Sequence, residues 1–120
     1  MSDQTYTLHG VRVLECAADG PLLEGERDAT DVIGNALSLH ASMVVIPVVR
    51  LSAKFFALKT RIAGEMIQKF VNYGIRLVIL GDVSSHVAAS DALRDYIRET
   101  NRGTQVWFLS DRAELEARLG

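Results

Sequence analysis

Hydrophobic and polar positions along the chain fall into two rhythms, and the clearest change between them lies in Phe55 to Asp82. Ile62/Ala63, Met66/Ile67 and Phe70/Val71 recur as pairs four residues apart. That spacing predicts a helix with a wide apolar stripe on one side. Arg61, Glu65, Gln68, Lys69 and Asn72 fall on the other side, where Arg61–Glu65 and Glu65–Lys69 are opposite charges at i,i+4 spacing. Gly74 follows the last periodic residue and suits the left-handed position that ends a helix. Ile75 and Leu77 to Leu80 then form a nearly unbroken apolar run, the mark of a strand covered on both faces. Ile62, Met66, Phe70, Ile79 and Val45 are therefore expected in the core.

The same reading extends in both directions. Tyr6 and Leu8 alternate with polar neighbours and Val11, Val13, Leu14 and Cys16 follow, which predicts a hairpin turning at His9-Gly10. Ala18 to Arg27 carries Gly20, Pro21 and Gly25 and reads as a loop. Asp28 or Thr30 can cap a helix burying Val32, Ile33, Ala36, Leu37 and His40. Met43 to Val49 is a buried strand with Pro47 near its end. Beyond Asp82 the pattern gives a loop to Ser90, then a helix capped by Ser90 with Leu93, Tyr96 and Ile97 inward. Asn101 and Gly103 suit left-handed φ at its end, with Arg102 at the negative pole of the dipole. Val106 to Leu109 is the last strand. A short closing helix follows, capped by Ser110 or Asp111, with Asp111 and Glu114 spaced like a capping box.

The order β-β-α-β-α-β-α-β-α predicts a single α/β domain over residues 1–120. Its sheet is mixed and mostly parallel, with the first strand antiparallel and helices packed on the faces.

Composition narrows the function classes. A chain of 120 residues with 48% hydrophobic and 23% charged residues is ordinary for a globular domain. A net charge of −2 gives no pull toward nucleic acid. No apolar run approaches the roughly 20 residues that span a bilayer, and the first ten residues lack the layout of a signal peptide. One cysteine cannot staple the fold and fits a reducing cytoplasm. His9, His40 and His86 are scattered without ligand spacing, so neither a metal nor a cofactor is expected.

AGEMIQKFVNYGIRLVILGD, followed by LRDYIRETNRGTQVWF, resembles a bacterial family catalogued as domain of unknown function 4180. The family pattern F-F-D-L-x-T-G-x-A-G-E-x-x-Q-K-F-x-N-Y is matched by Phe55, Phe56, Leu58, Thr60 and Ala63 to Glu65. Gln68 to Phe70, Asn72 and Tyr73 continue the match. Gly81, Asp82, Leu93, Arg94, Asp95, Ile97, Glu99, Asn101, Arg102 and Gly103 extend it. Two positions depart: Ala57 stands where the pattern has aspartate, and Arg61 where it has glycine. The element order is also similar to the STAS fold of sulfate-transporter tails and anti-sigma-factor antagonists.

Parallel sheets bind ligands beyond the carboxyl ends of their strands. There, Arg50, Lys54, Lys59 and Arg61 lie in a window without acids between Asp31 and Glu65. They can receive an anion or a phosphorylated partner, or simply form a solvated basic loop. Asp82, Ser84, Ser85 and His86 place a carboxylate, hydroxyls and an imidazole within one loop. A relay needs these groups to converge at about 3 Å, and the alternative is a polar loop capped by Asp82. Gly64 beside Glu65 and Gln68 points either to function or to close packing of the helix against the sheet.

The expected protein is a non-enzymatic binding or regulatory module recognising a partner protein or a small anion. The alternative is a small enzyme using Asp82 and His86 with Lys59 and Arg61 on an anionic substrate. The STAS likeness implies a phosphorylation switch at Thr60 or Ser52. The last strand, apolar on both faces and expected at a sheet edge, predicts a homodimer near Trp107.

Overall fold

The computed structural model describes residues 3–120; Met1 and Ser2, at the start of the expected domain, lie outside them. Five strands, β1 (Gln4–Leu8), β2 (Val11–Glu15), β3 (Met43–Pro47), β4 (Arg76–Leu80) and β5 (Val106–Leu109), form one sheet in the order β1-β2-β3-β4-β5. The β1–β2 hairpin is antiparallel and every other pair is parallel. Its turn falls at His9-Gly10, both with positive φ. The helices are α1 (Glu26–Ser38), α2 (Ala53–Phe56), α3 (Ile62–Asn72), α4 (Ser84–Ala89), α5 (Asp91–Asn101) and α6 (Arg112–Leu119).

Strand order and handedness together decide where the helices go. Each parallel crossover is right-handed by default and advances to the next strand in the same direction, so the connecting helices share one face. On that face Leu14, Val44, Ile46, Leu77 and Phe108 meet residues of α1, α3 and α5, including Ile33, Met66, Phe70 and Leu93. On the other face Val13, Met43, Val45, Val78, Trp107 and Leu109 pack with Leu115 of α6. The apolar strands are thus buried on both sides, as their composition requires. Met66, Phe70, Ile79 and Val45 are buried, while Ile62 is half-buried at the edge of the first cluster.

Several caps follow the sequence. Ser90 accepts a hydrogen bond from the Leu93 amide at 3.1 Å, Asp111 accepts from Glu114 at 2.9 Å, and Gly74 takes φ +68 beyond α3. Others differ. α1 begins at Glu26, a turn-fraction earlier than expected, because Asp28 bonds back to the Glu24 amide instead of capping forward. Leu37 is 48% exposed, and His40 lies past the helix end with φ +59, so neither belongs to the buried face. Neither Asn101 nor Gly103 adopts left-handed φ.

Trp107 is only 5% exposed. Its indole N–H donates to the Gly103 carbonyl at 2.8 Å, and the guanidinium groups of Arg76 and Arg118 lie 4.7 and 4.4 Å from the ring centre. The ring is consumed within the chain, which removes the exposed anchor on which a dimer at this point was expected.

Candidate functional site

The segment from β3 to α3 is more structured than its sequence suggests. Pro47 ends β3 and opens a 3-10 turn at residues 48–50; α2 and a second 3-10 turn at residues 58–60 follow. Thr60 holds this corner together. Its hydroxyl lies 2.7 Å from the Lys54 carbonyl and 2.8 Å from that of Ala57, to which it donates, and it accepts from the Ile62 amide at 3.3 Å. The Lys54 carbonyl is thereby tied to the residue two positions before α3. A phosphoryl group on Thr60 would have to break these backbone contacts. The other hydroxyl, Ser52 Oγ, is buried and has no hydrogen-bond partner among the described residues.

Arg61 precedes α3 with φ +64, ψ +4, a left-handed conformation. This is the position where the family pattern carries glycine, and the backbone explains why: without a Cβ the conformation is free of strain. The same geometry places Arg61 outside the helical repeat, and no ion pair with Glu65 forms. Lys69 does not pair with Glu65 either; it reaches Glu26 on α1 at 3.4 Å.

The four expected cations divide. Arg50 is 7% exposed, and its guanidinium donates to the carbonyls of Pro21 and Ala17, both at 2.6 Å. It secures the loop after β2 and is withdrawn from anion recognition. Lys54, Lys59 and Arg61 are exposed, and none is held in an ion pair among the described residues.

At the end of β4, Asp82 Oδ1 accepts from the Ser84 amide at 2.8 Å and opens α4. Its hydrogen bonds to Ser84 hold the carboxyl below the ordinary aspartate range. His86 lies flat on Phe56, with ring centres 4.1 Å apart and an interplanar angle of 12°. No hydrogen bond joins His86 to Asp82, Ser84 or Ser85 among the described residues, so the relay that catalysis requires is not assembled. The stack closes one side of a concavity of about 270 Å³ lined by Phe56, Ala57, Ser85 and His86. The sequence concealed this contact because residues 84–89 lack an apolar repeat and read as loop. Ala57 lines the same concavity, so the carboxylate of the family pattern would stand beside His86; this chain has a methyl group there.

A second concavity, about 280 Å³, opens at the ends of β2 and β3 and is lined by Glu15, Cys16, Ala17 and Pro47 among others. Burial pushes the Cys16 thiol up to about 12, so it stays protonated and is a poor nucleophile. Tyr6 donates to Glu15 Oε1 at 2.7 Å and is itself raised by burial and by that carboxylate. Along the outer side of α3 run two further open concavities, of about 370 and 390 Å³, which share Gly64 and Glu65. A Cβ on Gly64 would meet nothing within 4 Å. The glycine therefore does not serve close packing against the sheet, contrary to the structural reason its sequence position suggested.

No group of three or more His, Cys, Asp or Glu side chains suited to a metal occurs among the described residues, and no helix is long and apolar enough to cross a membrane. Strand order never reverses, so the fold lacks the switch point that opens a ligand crevice in doubly wound sheets.

These features define a mixed α/β domain with shallow, open surface sites and a cationic corner at the head of α3. A family model described as Domain of unknown function (DUF4180) matches residues 8–119, and the chain belongs to that family. No curated protein and no solved structure matches it.

Proposed function

We propose that this chain is a non-enzymatic binding module, STAS-like in layout, that recognises a small anion or an anionic group on a partner protein at the head of α3. The observation that carries this reading is that Lys54, Lys59 and Arg61, exposed and without acidic partners among the described residues, flank a corner fixed by the Thr60 hydroxyl. Cations near the first turn of a helix also act in concert with its unpaired amides. The Phe56–His86 stack gives the neighbouring concavity a flat aromatic wall. The enzymatic alternative gains no support, since Asp82 and His86 are engaged elsewhere. A buried, unpaired Cys16 suits a reducing compartment such as the cytoplasm.

The test is titration with inorganic phosphate followed by amide NMR. Saturable shifts are expected at residues 59–64, with a Kd on the order of 1 mM for so small a ligand. They should vanish in the Lys54→Ala/Lys59→Ala variant. Linear, unsaturable drift in the parent protein would overturn the assignment.

A further inference from the structure

The outer side of α3 presents an unusual set of groups. Gly64 lies within the helix, exposed, with open space where a side chain would stand. Glycine at such a position costs the helix about 1 kcal/mol relative to alanine. One concavity beside it is lined by Leu58, Arg61, Glu65 and Tyr96, and the other by Glu65, Gln68, Lys69 and Asn72. Val71, seven residues on and so on the same side of the helix, is 40% exposed.

The charges on this face are self-complementary. Lys69 is neutralised by Glu26. Arg61 and Glu65 remain, flanking Gly64 in sequence and lining one concavity with it; among the described residues neither is in an ion pair, the left-handed backbone at Arg61 taking its side chain out of the i,i+4 geometry. An isologous contact requires that residue i of one copy meets residue j of the other and the reverse. Two antiparallel copies of α3 related by an axis near Gly64 meet that condition. Arg61 of each copy then faces Glu65 of the other, and the bare backbone at Gly64 lets the helices approach closely.

We propose that the face of α3 around Gly64 is a homodimer interface, with a second copy of this chain as its occupant. The half-buried Leu58 and Tyr96 supply the apolar flank. The reading shares Arg61 with the proposed anion site but uses neither Lys54, Lys59 nor His86, so the Lys54→Ala/Lys59→Ala variant tells the two apart.

Sedimentation measured from about 1 to about 200 µM tests it, since a contact this small belongs at the weak end of specific interfaces. A reversible dimer is expected. Arg61→Glu and Glu65→Arg should each weaken it at least about tenfold, by setting like charges opposite one another, while the double reversal should restore it to within about threefold. Gly64→Gln should abolish the dimer while leaving the melting temperature unchanged or higher, because the monomer has room for the side chain. Lys54→Ala/Lys59→Ala should leave the dimer intact. A clean monomer across the range overturns the proposal. So does a dimer that survives Gly64→Gln, or a double reversal that stays monomeric while its circular dichroism remains native.

Discussion

The carboxamide of Asn101 makes both hydrogen bonds of a strand partner with Phe108: its Oδ1 accepts from the Phe108 amide at 2.7 Å and its Nδ2 donates to the Phe108 carbonyl at 3.1 Å. The carbonyls of Gln105, just before β5, and of Leu109 point toward β4, accepting from Leu77 and Gly81, so Phe108 turns its polar groups to the free edge. One side chain thereby occupies the position another strand would take. Exposed strand edges invite pairing between chains, and proteins protect them.

Asn101→Ala should therefore have two consequences. Losing two partly buried hydrogen bonds and leaving the Phe108 groups unpaired should cost about 1–3 kcal/mol in chemical denaturation. Freed of its plug, the edge should also promote aggregation, visible as rising light scattering at concentrations where the parent is clear. A variant that is equally stable and equally soluble would show that the edge is protected by something else.

Arg50 and Gly20 form a second coupled pair. A Cβ built on Gly20 would lie 2.5 Å from the Arg50 Cζ, too close for any real contact. The loop after β2 wraps a buried guanidinium so tightly that no side chain fits. Gly20→Ala should cost about 1–3 kcal/mol through displacement of the arginine. Arg50→Met, which leaves the Ala17 and Pro21 carbonyls without donors, should cost about 2–4 kcal/mol. Urea unfolding of the two variants checks both figures.

What the sequence disclosed and what it concealed divide along physical lines. Strands β3 to β5 and helix α3 were legible because burial on one or both faces imposes a strict period, and Phe70 and Val78 sit where that period puts them. Residues 48–60 were not legible as two short turns and a one-turn helix. Such pieces are too short for periodicity, and they are held by single contacts such as that of Thr60 to Lys54. The candidate site suffers from the same limit. Charge alone grouped Arg50 with Lys54 and Lys59, yet the fold buries Arg50 on the carbonyls of Pro21 and Ala17, residues about thirty positions away in sequence. Asn101 read as a helix terminator because Asn-Arg-Gly is a common stop, and nothing local signals a bond to a strand seven residues away.

The core gives the simplest stability measurement. Phe70 is fully buried between α3 and the sheet. Phe70→Ala should lose about 3–5 kcal/mol, the usual cost of removing an aromatic ring and leaving a cavity. Val71→Ala, at an exposed position on the same helix, should lose less than about 1 kcal/mol. Comparable losses at the two positions would contradict the orientation of α3.

The left-handed backbone at Arg61 predicts a stabilising replacement. A non-glycine residue there bears a strain of about 1–2 kcal/mol, which glycine removes. Glycine also increases the freedom of the unfolded chain, offsetting part of that gain. Arg61→Gly should thus raise stability by up to about 1 kcal/mol, while diminishing phosphate binding at the head of α3. Arg61→Ala, which keeps the Cβ, should bind as weakly but gain no stability. Thermal melting of the two variants side by side separates the backbone effect from the charge.

Cys16 sets a pH window for stability. Its thiol ordinarily titrates near 9, and in the folded protein burial pushes it up to about 12. Between those values the native state holds a proton that the unfolded chain has released, so stability must fall as pH rises through the window. Below 9 the contribution is fully present; above about 12 it is gone. Tyr6, raised by burial and by the Glu15 carboxylate, adds to the decline at its upper end. Cys16→Ala should lower stability at neutral pH by removing a packed sulfur, yet flatten the alkaline slope. Urea midpoints measured from pH 7 to pH 11 should therefore converge for the two proteins. Parallel curves would mean that the thiol is not protonated by burial, and native Cys16 would then react with alkylating reagents at pH 8, which the buried thiol should resist.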